Sequence, residues 1–594
     1  MAYRSSRQPG AGGQRPRSSR RQSNQNPTAS RQRRSEGAQA SSADVLNGRL
    51  AFILLIFIIV AVVPLLLRLL WLTVIDAQNN LDRSSSREVT VEVQARRGTI
   101  YDRNGTILAT TVDAYNVFCH PHMVDSADTE KLANALAEAF GGEAKDYKEK
   151  ITSDTNFVYL YKGTDEAGMK KIKELNIEGV DFEKTTKREY PCGAVGSQII
   201  GILNSDGKAL TGLELYYDDI LGGTDGEKTT EYSKEGVPVP GSETVTAEVV
   251  DGKDIVLSID IDMQEQLEES LAVRVEEVQG TGGSAILMDS ATGEIYACSS
   301  SPTFDITNMK DIKEGATNLS GISSAFEPGS VIKPLTMLAA LSDGKVSASS
   351  TIYCPNKLTV DGYTITDSHS RESKDMSMDD IIADSSNVGI SLVAQELGFS
   401  RLAEYIQQYQ LCLKTGVDYP GEASGSIAKR DSWSSVQGYN ISFGQGLTTT
   451  PIEMVRFYAA LANDGVAVTP HFLVSVPSEG EARTYETTRI TDRVDCITEL
   501  EGMMQQVVER GTGTDAQING YRVVGKTGTA EIASDSGGYK QGEYNLSFVG
   551  YMPDTSTNLV CFVGATDVPG ERKTVPAFKD IMSFAIDRYN ITQK

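Results

Sequence analysis

Hydrophobic and polar positions follow three regimes along this chain. The first is an unbroken run of 18 apolar residues, Leu50 to Leu67, long enough for a helix that spans a bilayer. In the second, Val89, Val91 and Val93 alternate with polar residues, which predicts a strand. Thr99–Asp102 and Thr106–Thr110 flank Arg103-Asn104-Gly105, which predicts a hairpin with an Asn-Gly turn. The third regime mixes both periods. Ile255–Ile259 predicts a strand, followed by a helix capped by Asp262 with Glu265 at the capping-box position. Met263, Leu267, Leu271, Val275 and Val278 give that helix one apolar face, and Gly280 closes it. Ser284–Asp289 and Glu294–Cys298 predict a hairpin through Ala-Thr-Gly. A helix-rich stretch comes next, including Lys333–Leu341. Another helix opens at Thr450-Pro451-Ile-Glu453, where cap, N1 proline and capping-box glutamate coincide. Strands return at 521–531, 545–551 and 558–566, and a terminal helix runs from about Val575 to Asn590.

Composition divides the chain differently. At 594 residues it has room for several domains, each with a core. Residues 1–49 hold ten Arg, no Lys and two acids (Glu36 and Asp44), a net of +8, so the remainder carries −32 of the chain's total of −24. The tail, residues 1–48, is rich in Ser, Gln, Gly and Pro and poor in large apolar residues, which predicts disorder. An Arg tail also suits nucleic acid, but the apolar run beside it offers a simpler account: arginine keeps that side of a membrane helix in the cytoplasm. The run is too long for a cleaved signal and no Ala-x-Ala site follows it. An uncleaved anchor over residues 49–75 is expected, with Pro64 inside it and Arg68 and Trp71 at the outer interface. Everything after about residue 76 is then extracytoplasmic, and its acidity argues against capture of an anionic substrate. Seven widely spaced cysteines form no C-x-x-C, which predicts free and mostly buried thiols. Cys119-His-Pro-His122 has no second cluster to complete a metal site.

Three strings carry candidate chemistry: Ser330-Val-Ile-Lys333, Ser385-Ser-Asn387 and Lys526-Thr-Gly-Thr529. Ser-x-x-Lys also begins at Ser205, Ser342 and Ser426, and Lys-Thr-Gly also begins at Lys414. Ser205 and Ser342 sit in Ser-Asp-Gly-Lys turns. Lys414 leads into a loop, whereas Lys526 ends the strand-like run Tyr521–Gly525. Only Ser330, after Pro328-Gly329, opens an apolar helix. A serine hydroxyl needs a base to become a nucleophile, and residues three apart share a helix face with Cβ atoms about 5–6 Å apart. Lys333 can be that base only when neutral, against an ordinary value of about 10.4. Burial, a helix N-terminus and a second cation push it down, and Lys526 can supply the cation. Pro334 is tolerated in a first turn.

The ordered set resembles the penicillin-binding proteins. Arg97-Gly98-Thr99-Ile100-Tyr101-Asp102-Arg103-Asn104-Gly105, Arg188-Glu-Tyr-Pro191, Gly201-Ile-Leu-Asn204, Gly212-Leu-Glu214 and Leu221-Gly-Gly223 resemble the non-catalytic pedestal of class B members. Gly444-Gln-Gly446, Phe548–Pro553 and Thr415–Glu422 resemble segments of the catalytic domain. The resemblance spans about residues 92–590. It implies an α+β fold: a penicillin-binding/β-lactamase-like transpeptidase domain, residues 251–594, with an antiparallel sheet flanked by helices and a helical subdomain. That domain stands on an elongated α+β pedestal, residues 76–250, behind one N-terminal transmembrane helix. It also implies a peptidoglycan D,D-transpeptidase, without metal or organic cofactor, that acts on stem peptides and is acylated by β-lactams. In that reading Ser330 is the nucleophile, Lys333 its base, Ser385 a proton relay and Asn387 a substrate contact. The N–H groups of Ser330 and Thr529 form an oxyanion hole, while Lys526, Thr527 and Thr529 hold the substrate carboxylate beside Gly528. Expected partners are the plasma membrane, a polytopic glycan polymerase and other division proteins, with no nucleic acid. The layout is closer to the division branch than to the elongation branch. A D,D-carboxypeptidase or β-lactam hydrolase would use the same serine, and a division scaffold with dispensable catalysis remains open. His369 is expected in a structural or surface role, His471 on a surface loop, and Trp433 and Tyr439 in the core or on a cleft wall.

Overall fold

Period-two alternation builds the central layer. Five antiparallel strands lie in the spatial order Ile295–Ser301, Gly282–Asp289, Leu559–Pro569, Tyr539–Tyr551 and Val524–Ala533. Their alternate side chains enter two separate cores. On one face Ala285, Leu287, Leu546, Phe548 and Val563 meet the helices Ile261–Glu277 and Val575–Tyr589. On the other, Ile286, Met288, Val549, Val560 and Phe562 meet the larger core, to which Lys333–Ser342, Pro451–Ala462 and Val494–Glu509 contribute. Val524–Ala533 is an edge strand, so one row of its peptide groups faces away from the sheet.

The structure, a computed structural model, describes residues 42–75, 88–204, 206–231, 239, 241–480, 482–534, 538–570 and 572–594. The predicted tail up to residue 41 and Ser205 lie outside the described residues. The N-terminal helix, Ser42–Leu70, starts inside the predicted disordered segment, contains Pro64 and runs into a π-turn at Trp71–Ile75. Its Gly48–Val74 stretch, with mean hydropathy 3.4, is long and apolar enough to cross a membrane.

A second sheet, of six strands, draws on both sides of residues 245–253. Leu473–Ser475, Ile255–Leu257, Ile100–Tyr101, Ile107–Cys119 and Val158–Thr164 lie in that order, and Val180–Glu189 also pairs with Ile107–Cys119. The buried Glu214 carboxylate accepts from Arg97 Nε at 2.5 Å and Arg188 Nε at 2.8 Å. The resemblance had marked all three segments, and this ion triad is what joins them. A small sheet of Glu88–Val93, Gly226–Glu231 and Thr244–Ala247 completes the first part. Glu88–Val93 is the strand that its alternation predicts, and both of its faces are exposed.

Several local expectations need correction. The hairpin at residues 99–110 forms, but only Gly105 is left-handed, at φ +86°. Asp102 N donates to Thr106 O, leaving a three-residue loop rather than a two-residue Asn-Gly turn. Asp102 Oδ1 accepts the N–H groups of Asn104 and Thr106 and so sets the loop length. The helix Ile261–Glu277 is capped by Asp260, whose carboxylate accepts from the amides of Asp262 and Met263. It ends at a left-handed Gln279, one residue before Gly280. The cap and proline of Pro451–Ala462 are as expected, but Glu453 is buried and accepts the amides of Cys412 and Gly425. The helix-rich middle also holds two short antiparallel pairs, Thr351–Cys354 with Lys374–Ser377 and Lys357–Val360 with Tyr363–Thr366. Lys526 is the third residue of its strand, which begins at Val524, so it does not end a run. The described cysteines are free, five of them buried.

Candidate active site

A glycine-mediated turn presents Ser330. Gly329, at φ +56°, opens a 3₁₀ turn, Gly329–Ile332, that passes into the helix Lys333–Ser342 with Pro334 in its first turn. The turn is pressed between two backbones. A Cβ on Gly329 would lie 2.6 Å from Thr529 O, and one on Gly444 would lie 2.0 Å from Gly329 O. Gly329 N donates to Gly444 O at 3.0 Å. Gly444 is itself left-handed, at φ +91°, so no side chain fits there without moving the serine.

The three strings converge on one hydroxyl. Ser385 Oγ lies 3.1 Å from Lys333 Nζ and 2.9 Å from Lys526 Nζ. Lys333 Nζ also donates to Ser385 O at 2.5 Å and Asn387 Oδ1 at 2.8 Å. Asn387 Nδ2 donates to Thr366 O at 3.0 Å, which fixes its amide. Both lysines are fully buried, at 0 % exposure. The expected contact between Ser330 and Lys333 is absent: among the described residues Ser330 Oγ makes no hydrogen bond, and Lys333 spends its three N–H groups on the second string. Catalytic contacts are often longer before substrate arrives, and the helical spacing still places both residues on one face.

Burial and charge act on the pair in one direction. Burial, and then the neighbouring Lys526 cation, push the Lys333 ammonium well below its ordinary value, while Asp367 opposes them. Burial brings Lys526 down to about 7. A neutral Lys333 has two N–H groups and one lone pair. Ser385 can then donate to that lone pair while it accepts from Lys526, a geometry suited to passing a proton.

Thr529 lies on the open edge of its strand. Its carbonyl faces Gly329, and in an extended strand a residue's N–H and C=O point the same way, so the Thr529 N–H is directed at the serine turn. Gly528 is required for that approach: a Cβ there would lie 2.2 Å from Ser547 Oγ and 3.0 Å from Val331 Cγ1. Thr527 Oγ1 lies 2.6 Å from Thr512 Oγ1 and 3.4 Å from Lys526 Nζ. Thr512 had no signal in the sequence. Neither did Asp367 beyond its place beside His369.

The alternatives fall away from this cluster. Ser342 ends the Lys333–Ser342 helix, Ser426 starts a two-residue strand and Lys414 is in a loop. His369 is exposed. His471, expected on a surface loop, is 5 % exposed and stacks on Tyr485 with ring centroids 3.6 Å apart. Trp433 and Tyr439 pack, partly buried, against the larger core.

Residues 283–583 match the family described as the penicillin binding protein transpeptidase domain, and residues 92–257 match the penicillin-binding protein dimerisation domain. The penicillin-binding protein PbpB of Mycolicibacterium smegmatis is 31 % identical over 557 residues, covering 86 % of this chain and 85 % of that protein. The peptidoglycan D,D-transpeptidase FtsI of Buchnera aphidicola is 29 % identical, covering 89 % and 93 %. Among solved structures, penicillin binding protein 3 of Mycobacterium tuberculosis complexed with aztreonam superposes with a TM-score of 0.66 at 25 % identity, covering 85 % of this chain and 98 % of that one.

Proposed function

The chain belongs to the penicillin-binding protein transpeptidase family, and on that premise we propose that it is a peptidoglycan D,D-transpeptidase working through a serine acyl-enzyme in septal wall synthesis. One observation carries the reading: two buried lysines share the hydroxyl of Ser385 beside the turn that presents Ser330. Neutral Lys333 takes the Ser330 proton as Oγ attacks the carbonyl of the D-Ala-D-Ala bond. The oxygen that gains charge is met by the N–H groups of Ser330 and Thr529. The C–N bond breaks, and the departing D-Ala amine takes a proton relayed through Ser385. An acceptor amine then attacks the ester, gives up a proton along the same path, and frees Ser330. Lys526, Thr527 and Thr529 hold the carboxylate that ends the donor peptide, and a carboxylate beside Lys526 favours its charged form. Asn387 offers its amide to the peptide backbone. A β-lactam carbonyl meets the same serine.

In this reading the chain divides its labour between a pedestal over residues 76–250 and a transpeptidase domain over 251–594, a division that the matches at residues 92–257 and 283–583 support. The apolar helix anchors the protein in the membrane, with the Arg-rich tail in the cytoplasm and the catalytic domain outside. The membrane helix and pedestal meet a polytopic glycan polymerase and other division proteins.

Labelling with a fluorescent penicillin, followed by peptide mapping, tests the chemistry. Label is expected on Ser330 and absent from a folded Ser330→Ala variant. Label that persists, or maps to Ser342 or Ser426, overturns the assignment. Incubating a donor peptide with an amine acceptor distinguishes transfer from hydrolysis. A product with water alone, at every acceptor concentration, would make the protein a carboxypeptidase.

A further inference from the structure

Ser385 adopts a left-handed backbone, φ +54°, as the residue that ends the helix Met378–Ala383: Ser385 N donates to Ile382 O at 3.2 Å and Ser386 N to Ile381 O at 2.9 Å. The helix that follows is held from outside the string. Ser386 is the N-cap of the helix Asn387–Leu397 and accepts from Gly389 N. Its own hydroxyl proton goes to Asp367, with Oγ 3.0 Å from Oδ1 and 2.9 Å from Oδ2. Asp367 Oδ1 also accepts Val388 N at 2.9 Å, so one carboxylate binds the cap residue and an amide of the first turn. Asp367 follows directly on Thr366, whose carbonyl holds Asn387 Nδ2.

Asp367 is fixed in turn. Arg371 Nε donates to its Oδ2 at 2.6 Å, while the Arg371 guanidinium spans the carbonyls of Cys354 and Pro355, each at 3.0 Å. The carboxylate and guanidinium are 10 % and 15 % exposed. Charge on Asp367 is therefore screened little by solvent. It is faced by Arg371 from its own loop and by Lys333 from the nucleophile helix.

We propose that Asp367 is the positioning residue of the Ser385-Ser386-Asn387 turn, holding the helix start so that Ser385 Oγ sits between the two lysines and Asn387 faces the cleft. It touches no reacting atom; it acts through Ser386 and Val388. A second consequence is electrostatic, since its carboxylate opposes the effects that push Lys333 down. The inference rests on the transpeptidase reading.

The test measures acylation of the full-length protein by a fluorescent penicillin across pH, with the binding constant and the acylation rate constant separated by stopped flow. Asp367→Ala loses both the clamp and the charge, and its acylation rate constant is expected to fall about 10²-fold with little change in binding. Asp367→Asn keeps an oxygen for Val388 N and Ser386 Oγ, so most of the rate should return. Its acid limb should move to lower pH, by about one unit or less, because the charge that favoured protonated Lys333 is gone. If Asp367→Ala does not fold, the Asp367→Asn profile carries the test alone. Wild-type rates and limbs in both variants, or a Asp367→Asn limb that superimposes on the wild type, overturn the proposal. Failure of the transpeptidase reading looks different: Ser330→Ala would then still take the label.

Discussion

Neutralising Lys526 should disable the base as well as the grip on substrate. Ser385 Oγ lies 2.9 Å from Lys526 Nζ and 3.1 Å from Lys333 Nζ, so the two nitrogens are at most 6.0 Å apart, the sum of those distances. Two unit charges about 6 Å apart repel by about 3 kcal/mol at an effective dielectric near 20, or about 2 pKa units. Lys526→Met removes that repulsion and leaves the desolvation of Lys333 in place. Protonated Lys333 is then favoured, and on the acid side the neutral base becomes about 100-fold scarcer. Lys526→Arg keeps a cation that does not titrate. In the wild type that cation fades above pH about 7. The assay is the acylation rate constant for a fluorescent penicillin between about pH 5 and pH 10, separated from binding, a range that spans the Lys526 value of about 7. The Lys526→Met acid limb should lie about 2 units to the alkaline side of wild type, with rate recovered at high pH. The Lys526→Arg limb should fall on the wild-type limb or to its acid side. Three superimposable limbs, with only the binding constant altered, would refute the claim that Lys526 sets the protonation of Lys333.

The same lysine governs a stability prediction. Its folded value of about 7 lies below the ordinary 10.5, so the unfolded chain binds the proton more tightly and wild-type stability should rise with pH above about 7. Lys526→Met should flatten that slope and raise the melting temperature at pH 7 by a few degrees while acylation collapses; an unchanged or lower melting temperature refutes it. Gly444→Ala forces a carbon to within 2.0 Å of Gly329 O at φ +91°, and should slow acylation about 10²-fold in a folded protein; wild-type labelling would show that the serine turn tolerates displacement. Glu214→Ala leaves Arg188, 5 % exposed, without its carboxylate and Arg97, 10 % exposed, with Asp218 alone, and chemical denaturation should report a loss of about 3–5 kcal/mol. Protease added to wall-stripped cells should digest the catalytic domain and spare the Arg-rich tail, and a mature N-terminus beyond residue 70 would contradict the anchor.

What the sequence made legible, and what it hid, follows from where each residue finds its partners. Ser330, Lys333 and Lys526 are marked by short strings with local meaning: a glycine-opened turn, a helix start and a strand. Short apolar runs marked the central sheet equally well, because a strand buried on two faces must carry apolar side chains. Carboxylates were the misread residues. Asp262 was the expected cap, but Asp260 caps, and Arg588 and Tyr589, more than 300 residues away, also hold its side chain. Glu453 satisfied the capping-box pattern and marked the helix start correctly. Its carboxylate instead closes two loops, through the amides of Cys412 and Gly425, and burial brings its pKa up to about 7. Asp367 carried no pattern at all, since its partners, Ser386 and Val388, reach it only through the fold. A buried acid needs donors, and which donors it finds is a tertiary fact. The strings therefore mark where we propose that acylation happens, while the acids that hold those strings in register become visible only once the chain has folded.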